Sequence, residues 1–407
     1  MLEHVSRKRW AVFTFGFLTG ILLLVACASA GGDVSVPEDV AGTVESAVGE
    51  VPAQQPAEQE AEAPAEQEPA EEPAEATVEQ PAAEPAAQTE GGSLLDEVIS
   101  RGVLRCGVNS ALPGFGSIDA DGNNVGFDVD FCRAIAAAVF GDAEAVEFTT
   151  LNADQRFPAL QGGEVDVLIR NTTWTLTRDA DLGVDFTVTT FYDGQGYIVR
   201  AEDGFESVED MDGGTICVTS GTTTELNLAD DFERRGLSFT PSVFSETADS
   251  FGTFVEGACD AYTSDKSQLA SLASAEPNPD DYVILPDTIS KEPLGPSVRA
   301  NDSDWRDVVM WTIFVMIDAE RLGVSQENVD DFLEDDNIEI QRLLGTGEDD
   351  LGGLLGLPQD FGYQIISQVG NYGDVYARHL EPIGISREGT LNAHWTEGGL
   401  MYAPALR

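Results

Sequence analysis

The sequence predicts an α/β protein whose folded part forms two lobes of similar internal order. From Ser93 onward, short apolar strands alternate with helical patterns, and the series begins again after about Arg200. Glycine and proline interrupt the two segments that would join the series, near 192–200 and 285–299. Strands alternating with helices indicate parallel sheets covered by helices on both faces. Two such sheets place a cleft at the carboxyl ends of their strands, where ligands bind.

The first 27 residues are typical of a secretory signal. A basic start at Arg7 to Arg9 precedes an apolar run that ends in Leu24-Val25-Ala26-Cys27. This ending is similar to a bacterial lipobox, so we expect cleavage before Cys27 and lipidation of its thiol. The alternative is a membrane anchor with an incidental cysteine, but the run is short for a span of about 20 residues. Both interpretations place the rest of the chain outside the cytoplasmic membrane.

Residues 28–92 have a composition that predicts a tether. They consist largely of alanine, proline, glutamate and glutamine, with almost no large apolar side chain. Such a segment cannot bury enough surface to offset the entropy of ordering it. Its repeated prolines exclude a helical stalk. We therefore expect a disordered, like-charged spacer whose reach approaches about 200 Å.

The charge of the chain excludes one class of partner. The formal net charge is −52 at pH 7, and the folded part contributes to it as well as the tether. Nucleic-acid binding requires clustered lysine and arginine side chains that neutralise phosphates. We therefore expect no nucleic-acid partner.

Lobe 1 is expected to begin with residues 93–196. Gly102 is placed to end the first helix, and Asp121-Gly122 favours a tight turn. The expected elements are, in order, a helix at LLDEVISRG, a strand at VLRCGV, a turn at IDADGNNVGFD, a helix at VDFCRAIAAAVF, a strand at AVEFTTL, a helix at DQRFPALQGG and a strand at VDVLIR.

Lobe 2 is expected to span 197–290, after which 291–346 returns to lobe 1. Its predicted elements are a strand at GTICVT, a helix at TTTELNLADDFERRG, a strand at SFTPSVF, a helix at ETADSFGTFVEG and a strand at CDAYTSD. The later helix DWRDVVMWTIFVMIDAERLG is too charged for a membrane span and is predicted to be a core helix. Residues 347–407 are expected to form a C-terminal extension packed on lobe 1.

Several stretches of the folded part resemble the polar amino-acid-binding proteins of ABC transporters, the bacterial extracellular solute-binding proteins of family 3, and in particular their general L-amino-acid-binding branch. These stretches are GFDVDFCRAIAAAVFGD, RFPALQGGEVDVLIRNTTWTLTRD, YDGQGYIVR, CVTSGTTTELNLADDF, CDAYTSD, ISKEPLGP and HWTEGGLMYAP. The resemblance implies a two-lobed type II periplasmic-binding-protein fold with two hinge crossings.

The same resemblance implies a receptor and not an enzyme. Such a protein needs no cofactor, acts as a monomer, and closes its lobes on a free L-amino acid that it delivers to ABC permease subunits. With a lipidated Cys27 it would be anchored to the outer face of the cell membrane, at the cell surface or in a periplasm.

A free amino acid is a zwitterion, so its receptor needs a cation for the carboxylate and an anion for the ammonium. Arg178 offers a guanidinium fork for the carboxylate, as the arginine at this spacing does in the family. From residue chemistry alone it could equally be a surface arginine paired with Asp179 or Asp181. Asp265, at the end of a predicted strand, is the candidate anion. The alternative for it is an exposed aspartate beside Lys266.

Amide donors for the carboxylate are expected at TSGTTTE in lobe 2. Thr222 and Glu225 fit a capping box, which predicts the start of a helix. Free N–H groups at a helix N-terminus favour an anion. Gly221 permits close approach of the backbone, and Thr219 and Thr222 offer hydroxyl groups. An ordinary helix cap is compatible with this role.

The stretch after VDVLI supplies further candidates. Asn171 and Thr173 alternate along an extended segment, and we expect them to donate or accept hydrogen bonds with the ligand. Phe115 is predicted to wall the cleft, and Trp174 could either wall it or belong to the core. Arg170 is predicted to be structural.

Arg156 is the candidate for the ligand side chain. In the acidic-amino-acid receptors of the family, an arginine at the matching place holds a side-chain carboxylate. Those receptors use a second arginine in the first loop, where this chain has Asn109 and Ser110. The missing cation favours broad specificity, with polar or acidic ligands preferred, over strict selectivity for glutamate or aspartate.

The cysteines of the folded part are predicted to pair within each lobe. Cys217 and Cys259 lie at the starts of two lobe 2 strands, while Cys106 and Cys132 lie in a lobe 1 strand and its neighbouring helix. An exported protein permits both disulfides. No metal site is expected. The histidines are scattered, and the glycine of DADGN stands fourth where a calcium loop needs it sixth.

Two other functions were weighed. Some members of this fold are dehydratases of small carboxylic acids, and Glu164, Asp166 or Asp265 could then act as an acid. The expected grip on a zwitterion leaves no spare acid–base pair for this chemistry. A sensor module would need an output domain or permease segments, and the sequence suggests none.

Overall fold

The structure, a computed structural model, describes residues 93–407. The predicted signal segment, the lipidation site Cys27 and the predicted tether lie outside the described residues. Within residues 93–407, no helix combines the length and the apolar character that a membrane crossing requires.

Lobe 1 is built on a five-stranded sheet in the order β5-β1-β6-β15-β7. Its strands are β1 (Leu104–Val108), β5 (Val146–Thr150), β6 (Val167–Leu168), β7 (Val184–Phe186) and β15 (Ser297–Arg299). A small hairpin sheet beside it consists of β2 (Ala111–Leu112), β3 (Gly116–Ile118) and β4 (Asn124–Val125). The helices of the lobe are α1 (Leu94–Arg101), α2 (Phe127–Phe140), α3 (Arg156–Gln161), α4 (Leu176–Asp181) and α8 (Ser303–Leu322).

Lobe 2 is built on a second sheet in the order β11-β10-β12-β9-β13. Its strands are β9 (Gln195–Arg200), β10 (Thr215–Thr219), β11 (Thr240–Phe244), β12 (Ala261–Asp265) and β13 (Tyr282–Ile284). Its helices are α5 (Thr223–Arg235), α6 (Thr247–Val255) and α7 (Lys266–Ser274). The predicted α/β fold of two lobes is confirmed.

The sheets are mixed and not parallel throughout as predicted. β15 pairs antiparallel with β6 and β7, and β9 pairs antiparallel with β12 and β13. Both strands enter their lobe directly from the other lobe, at the edge where the parallel strands end. A strand entering from that edge has to run in the opposite direction, and a short connection suffices for it.

The hinge is a two-stranded antiparallel sheet of β8 (Phe191–Asp193) and β14 (Glu292–Leu294). Close approach of the backbones requires glycine beside each strand. A Cβ atom on Gly194 would lie 2.4 Å from the Cγ2 atom of Thr288, and one on Gly295 would lie 2.2 Å from the carbonyl oxygen of Val188. These are two of the glycines from which the sequence predicted the hinge.

The C-terminal part adds α9 (Ile338–Leu344), α10 (Phe361–Gln368) and α11 (Tyr372–His379). α10 and α11 contact α2 and α8 of lobe 1. Asp130 of α2 accepts hydrogen bonds from Arg378 and His379 at 2.6 and 2.7 Å, and the Phe127 ring packs against Tyr372 and Tyr376. The segment therefore shares one core with α2, as an extension of lobe 1.

The two predicted disulfides are present. Cys106–Cys132 joins β1 to α2, and Cys217–Cys259 joins β10 to the turn before β12. The apolar helix α8 is also placed as predicted, with Trp305 and most of its apolar side chains buried in the core of lobe 1.

Candidate functional site

A cavity lies between the lobes, beyond the carboxyl ends of β6, β10 and β12. About 330 Å³ is free of protein atoms here, a volume that includes open solvent at the mouth of the cavity. Five predicted site residues line it, namely Arg156, Asn171, Thr173, Thr222 and Asp265. They come from both lobes, so the cleft inferred from the strand order brings distant residues together.

The lobes are in contact around this cavity. The Ser220 hydroxyl of lobe 2 donates to Asp154 of lobe 1 at 2.8 Å, and the Asn152 amide of lobe 1 donates to Glu246 of lobe 2 at 2.7 Å. These hydrogen bonds cross the cleft opening, so the structure represents the closed arrangement of the lobes.

Asn171 turns the chain out of the lobe 1 sheet. Its φ of 32° is in the left-handed region that asparagine tolerates, and it makes β6 shorter than the predicted strand. Asp128 holds this turn by accepting the Asn171 backbone N–H at 2.7 Å. The Asn171 amide accepts from Asn109 at 3.2 Å and donates to Gln268 of lobe 2 at 3.1 Å. Asn171 is therefore a link between the lobes as well as part of the cavity wall.

The next residues pair with the hinge strand β14. Trp174 N–H donates to the Pro293 carbonyl at 2.8 Å, and the Gly295 N–H donates to the Thr172 carbonyl at 3.1 Å. This pairing directs the Thr173 side chain into the cavity, where its hydroxyl lies 3.4 Å from that of Thr223 in lobe 2. The position of Thr173 thus depends on the hinge.

Arg178 lies behind Thr173 and does not line the cavity. Its guanidinium is buried, donates to the Thr173 carbonyl at 2.9 Å and stacks over the Phe157 ring at 5.3 Å. Burial lowers the pKa of Arg178, whereas the negative charges of Glu292 and Asp265 oppose this shift. Its guanidinium makes one hydrogen bond among the described residues, which leaves donors for a carboxylate.

Arg156 is the cation that faces the cavity directly. It is only 3% exposed and donates across the cleft to the Gly221 carbonyl at 3.3 Å. Its Nε atom has no hydrogen-bond partner among residues 93–407. Burial lowers the pKa of Arg156 well below its ordinary value, and the positive charges of Arg178 and Arg170 add to this effect. A bound carboxylate would relieve both costs.

The lobe 2 donors are at the start of α5. Thr222 caps this helix by accepting the Glu225 N–H at 3.1 Å. The Glu225 carboxylate accepts from Gly221 at 3.1 Å and not from Thr222, so the predicted reciprocal capping box is not formed. Gly221, with φ of 68°, and Thr219, whose hydroxyl is buried, do not line the cavity. They support the loop that presents Thr222.

Asp265 ends β12 and stands at the start of α7. It is 5% exposed, and its Oδ1 atom has no partner within the described part of the chain. Burial raises the pKa of Asp265 well above its ordinary value, and the charges of Asp193 and Glu292 raise it further. The positive charges of Arg178 and Arg156 oppose this shift. A buried carboxylate without a partner is suited to bind a cation.

The assignment of Phe115 as a wall of the cleft is corrected. Its ring packs edge to face on Phe127 and Phe191, with centroids 5.9 and 5.3 Å apart, so it belongs to the core of lobe 1. Trp174 stacks on Phe186 and is 37% exposed outside the cavity. Apolar spacing in the sequence could not distinguish these positions, because a core and a cleft wall use the same side chains.

Other cavity residues were missed. Thr223, Thr224, Ser264 and Gln268 line it in lobe 2. Each lies within three residues of a predicted site residue, and the polar runs TTT and SDKSQ were a signal that could have found them. Arg170, predicted to be structural, donates its Nε–H to the Leu151 carbonyl at 2.6 Å but also lines the cavity.

No group of three or more histidine, cysteine, aspartate or glutamate side chains in the described residues is arranged to hold a metal ion.

Comparisons with known proteins agree with this geometry. Residues 104–327 match the model of the bacterial extracellular solute-binding proteins, family 3. The general L-amino acid-binding periplasmic protein AapJ of Rhizobium johnstonii is 48% identical over 317 residues, which cover 77% of this chain and 92% of that protein. The glutamate/glutamine/aspartate/asparagine-binding protein BztA of Rhodobacter capsulatus is 47% identical over 319 residues, 77% of this chain and 94% of that protein.

A solved structure is similar over the same part. It is an ABC transporter periplasmic binding protein from Brucella ovis with glutathione bound, 47% identical, with a TM-score of 0.76 and coverage of 78% of this chain and 100% of that chain. The family match spans both lobes and the hinge. This chain belongs to the bacterial extracellular solute-binding proteins, family 3.

Proposed function

We propose that this protein is an extracytoplasmic receptor that binds free L-amino acids between its lobes and delivers them to the permease of an ABC transporter. The carrying observation is a cavity lined by Arg156 and by Asp265, whose buried Oδ1 atom has no partner among residues 93–407, with the buried Arg178 directly behind the cavity wall. Such a site is complementary to a zwitterion. The relatives named above bind amino acids, which supports the same function here.

Each part of the ligand has a proposed partner. Arg178 and the N-terminus of α5, with Thr222, receive the carboxylate, and Asp265 receives the ammonium. Arg156 faces the ligand side chain and favours polar or acidic groups. Because the ligand contacts both lobes only when they are closed, binding favours the closed arrangement.

A dehydratase on the same fold is the less favoured function. Of the three carboxylates that such chemistry could recruit, only Asp265 lines the cavity. Asp166 directly precedes β6, at the amino end of this strand and away from the cavity, and it pairs with Arg101. Glu164 is also outside the cavity. We therefore propose that the ligand is bound and released unchanged.

The proposal includes a location. A lipidated Cys27 would hold the receptor at the outer face of the membrane, with residues 28–92 as its tether and a monomeric folded part. Replacing Cys27 with serine should move the protein from the membrane fraction to the soluble extracytoplasmic fraction. An unchanged membrane fraction would contradict the lipid anchor without affecting the binding function.

Calorimetry on the ligand-stripped protein tests the function. The panel comprises the common L-amino acids, their D-enantiomers and glutathione, whose γ-glutamyl end carries a free α-amino acid group. We expect stoichiometric binding of several L-amino acids with polar or acidic side chains. Failure of every amino acid to bind to folded protein would overturn the proposal, and turnover of a ligand would favour the enzyme.

A further inference from the structure

Two acidic side chains face each other across the hinge, and the amino-acid site described above does not use them. Asp193 of β8 and Glu292 of β14 are direct partners in the antiparallel hinge sheet. Directly opposed side chains lie on the same face of a sheet, and like charges in such a pair are destabilising. A positive charge beside the pair would therefore be stabilising.

Asp193 reaches the helix start that carries Asp265. Its Oδ2 atom accepts the backbone N–H of Ser267 at 3.1 Å, and its Oδ1 atom accepts that of Gly194 at 2.7 Å. Ser267 is two residues after Asp265, in the first turn of α7. The Asp193 carboxylate therefore binds the first turn of the helix whose N-cap residue is Asp265.

Glu292 reaches the cavity through one hydroxyl group. It is 2% exposed, and its two oxygens accept from the Thr223 hydroxyl and the Asn227 amide at 2.9 Å and from the Ser290 hydroxyl at 2.5 Å. Thr223 lines the cavity and lies 3.4 Å from the hydroxyl of Thr173. A ligand held at Thr173 is thus one side chain away from Glu292.

Asp265 is the independent sign that a positive ligand group belongs here, because its Oδ1 atom is buried, faces a cavity and has no partner among residues 93–407. Burial raises the pKa of Asp193 to about 6. The charges of Asp193 and Glu292 add to burial in raising the pKa of Asp265. The charge of Glu292 also adds to burial in raising the pKa of Asp193.

The nearby arginines do not neutralise the group completely. The positive charges of Arg178 and Arg156 lower the pKa of Asp265 against the effect of burial. The negative charge of Glu292 in turn raises the pKa of Arg178. Both arginines are partners of the ligand's own carboxylate groups in the proposed site. When an anion occupies them, their positive charge is shared with that anion.

Two further titratable side chains, Lys266 and Tyr376, are near Asp193, and neither neutralises it fully. Lys266 of α7 donates its Nζ–H to the Pro286 carbonyl at 2.9 Å, and its charge is shared between Asp193 and Asp287. Tyr376 of α11 is near Asp193, and burial raises the pKa of this phenol, so it stays neutral. A positive charge brought by the ligand would therefore add stabilisation that these neighbours do not supply.

We propose that Asp193 and Glu292 complete the ammonium subsite around Asp265, and that this carboxylate trio exchanges one proton for the ammonium of the ligand. The ligand-free trio carries a proton taken from water. When the ammonium enters, that proton leaves to solvent and the ligand's charge takes its place. The inference rests on the proposed amino-acid-binding function.

Calorimetry at pH 6 in phosphate and in bis-tris, whose ionisation enthalpies differ widely, measures the exchange. The probe is L-glutamine, or whichever amino acid with an uncharged side chain binds most tightly in the panel above. We expect a buffer-dependent heat that corresponds to proton release. Because binding releases a proton, the association constant should fall by up to about tenfold per pH unit as the pH drops from 7 to 5.

Two isosteric variants locate the proton. In Asp193→Asn and in Glu292→Gln, proton release should fall towards zero. The ratio of the affinities for L-glutamine and glutaramate, which is the same molecule without the ammonium, should fall by about tenfold or more. Asp166→Asn is the matched control, since Asp166 is a buried carboxyl group with a raised pKa at the amino end of β6, outside the cavity.

Several outcomes would overturn the inference. The first is an equal heat of binding in both buffers for the unmodified protein. The second is the same proton release in Asp193→Asn as in Asp166→Asn. The third is a ratio of the affinities for L-glutamine and glutaramate that is unchanged in both Asp193→Asn and Glu292→Gln. Far-ultraviolet circular dichroism confirms that each variant is folded. Absence of binding by every amino acid of the panel would instead refute the proposed function, so the two failures are distinguishable.

Discussion

At the scale of single residues, the cavity combines opposite charges that the protein leaves incompletely paired. Asp265 and Arg156 are almost fully buried, and each has a polar atom without a partner among the described residues. A buried charge without a partner destabilises the folded protein, and a bound group of opposite charge reduces this cost. The presence of both charges in one cavity favours a zwitterion over a simple anion or cation.

Replacing Arg178 with alanine is expected to abolish measurable amino-acid binding. The variant loses a guanidinium fork whose charge-assisted hydrogen bonds contribute about 1.5–3 kcal/mol each, which corresponds to a loss of roughly 100-fold or more in affinity. Calorimetry with the panel of L-amino acids measures it.

Arg170 provides the comparison for this variant. Its Nε–H donates to the Leu151 carbonyl, so replacing Arg170 with alanine should mainly lower the midpoint of thermal unfolding. If Arg170→Ala abolished binding while Arg178→Ala only lowered stability, the assignment of residues 170–179 would be wrong.

Asp128 should make stability depend on pH. Burial raises its pKa to about 7 against the Asn171 hydrogen bond and the Arg170 charge, so the folded protein holds this proton more tightly than the unfolded chain does. Its contribution to stability is present at low pH and is lost as the pH rises from about 4 through 7. Asp128→Asn should remove this loss.

Urea unfolding at pH 5 and pH 8 measures the Asp128 effect. Between these pH values, the free energy of unfolding of the original protein should fall by about 1–3 kcal/mol more than that of Asp128→Asn. An identical pH dependence of the two proteins would show that Asp128 is ionised throughout this range.

At the scale of elements, the C-terminal extension braces the hinge. The side-chain amide of Asn392 makes two hydrogen bonds with the backbone of β8, as a neighbouring strand would. It accepts the Tyr192 N–H at 2.7 Å and donates to the Tyr192 carbonyl at 3.0 Å. The Tyr372 hydroxyl donates to the Thr190 carbonyl at 2.8 Å, just before the same strand. The short turn Glu381–Ile383 also contacts α7 of lobe 2.

Replacing Asn392 with alanine should therefore loosen the hinge. Two partly buried backbone groups of Tyr192 lose their partners, which costs about 1–3 kcal/mol for each group that water cannot reach. We expect a lower midpoint of thermal unfolding and faster ligand dissociation in stopped-flow displacement. Leu391→Ser, at an exposed neighbouring position, is the matched control. Equal dissociation rates for the two variants would contradict the brace.

At the scale of the whole molecule, negative charge dominates. The chain has 73 acidic and 21 basic residues, and acidic side chains cover much of the folded surface as well as the tether. Self-repulsion of such a surface destabilises the compact state. The arginines that are buried within residues 93–407 are Arg156 and Arg170, which line the cavity, and Arg178, which lies directly behind it.

Salt should therefore stabilise the folded protein. Raising NaCl from about 20 to 300 mM shortens the Debye length severalfold, and the midpoint of thermal unfolding should rise by a few degrees. An uncharged solute at the same osmolality controls for excluded-volume effects. A constant or falling midpoint in NaCl would show that ion pairs within the fold outweigh the repulsion.

The sequence by itself determined the two-lobed α/β fold, the disulfide pairs and five residues of the cavity wall. It could do so because hydrophobic periodicity, turn residues and the ends of strands are local features. Thr222 was found because it begins a helix, Asp265 because it ends a strand and matches the family pattern, and Arg156 only from the family resemblance. The same local patterns could not separate Phe115 in the core from a cleft wall.

Tertiary structure decided the rest. Pairing of Asp193 with Glu292, the Asn171–Gln268 link and the contact of Asn392 with Tyr192 join residues that are about 100 to 200 positions apart. The antiparallel direction of β9 and β15 likewise follows from where the chain enters each lobe. These features depend on how the two lobes meet, and a sequence has no periodic pattern that records a contact between elements so far apart.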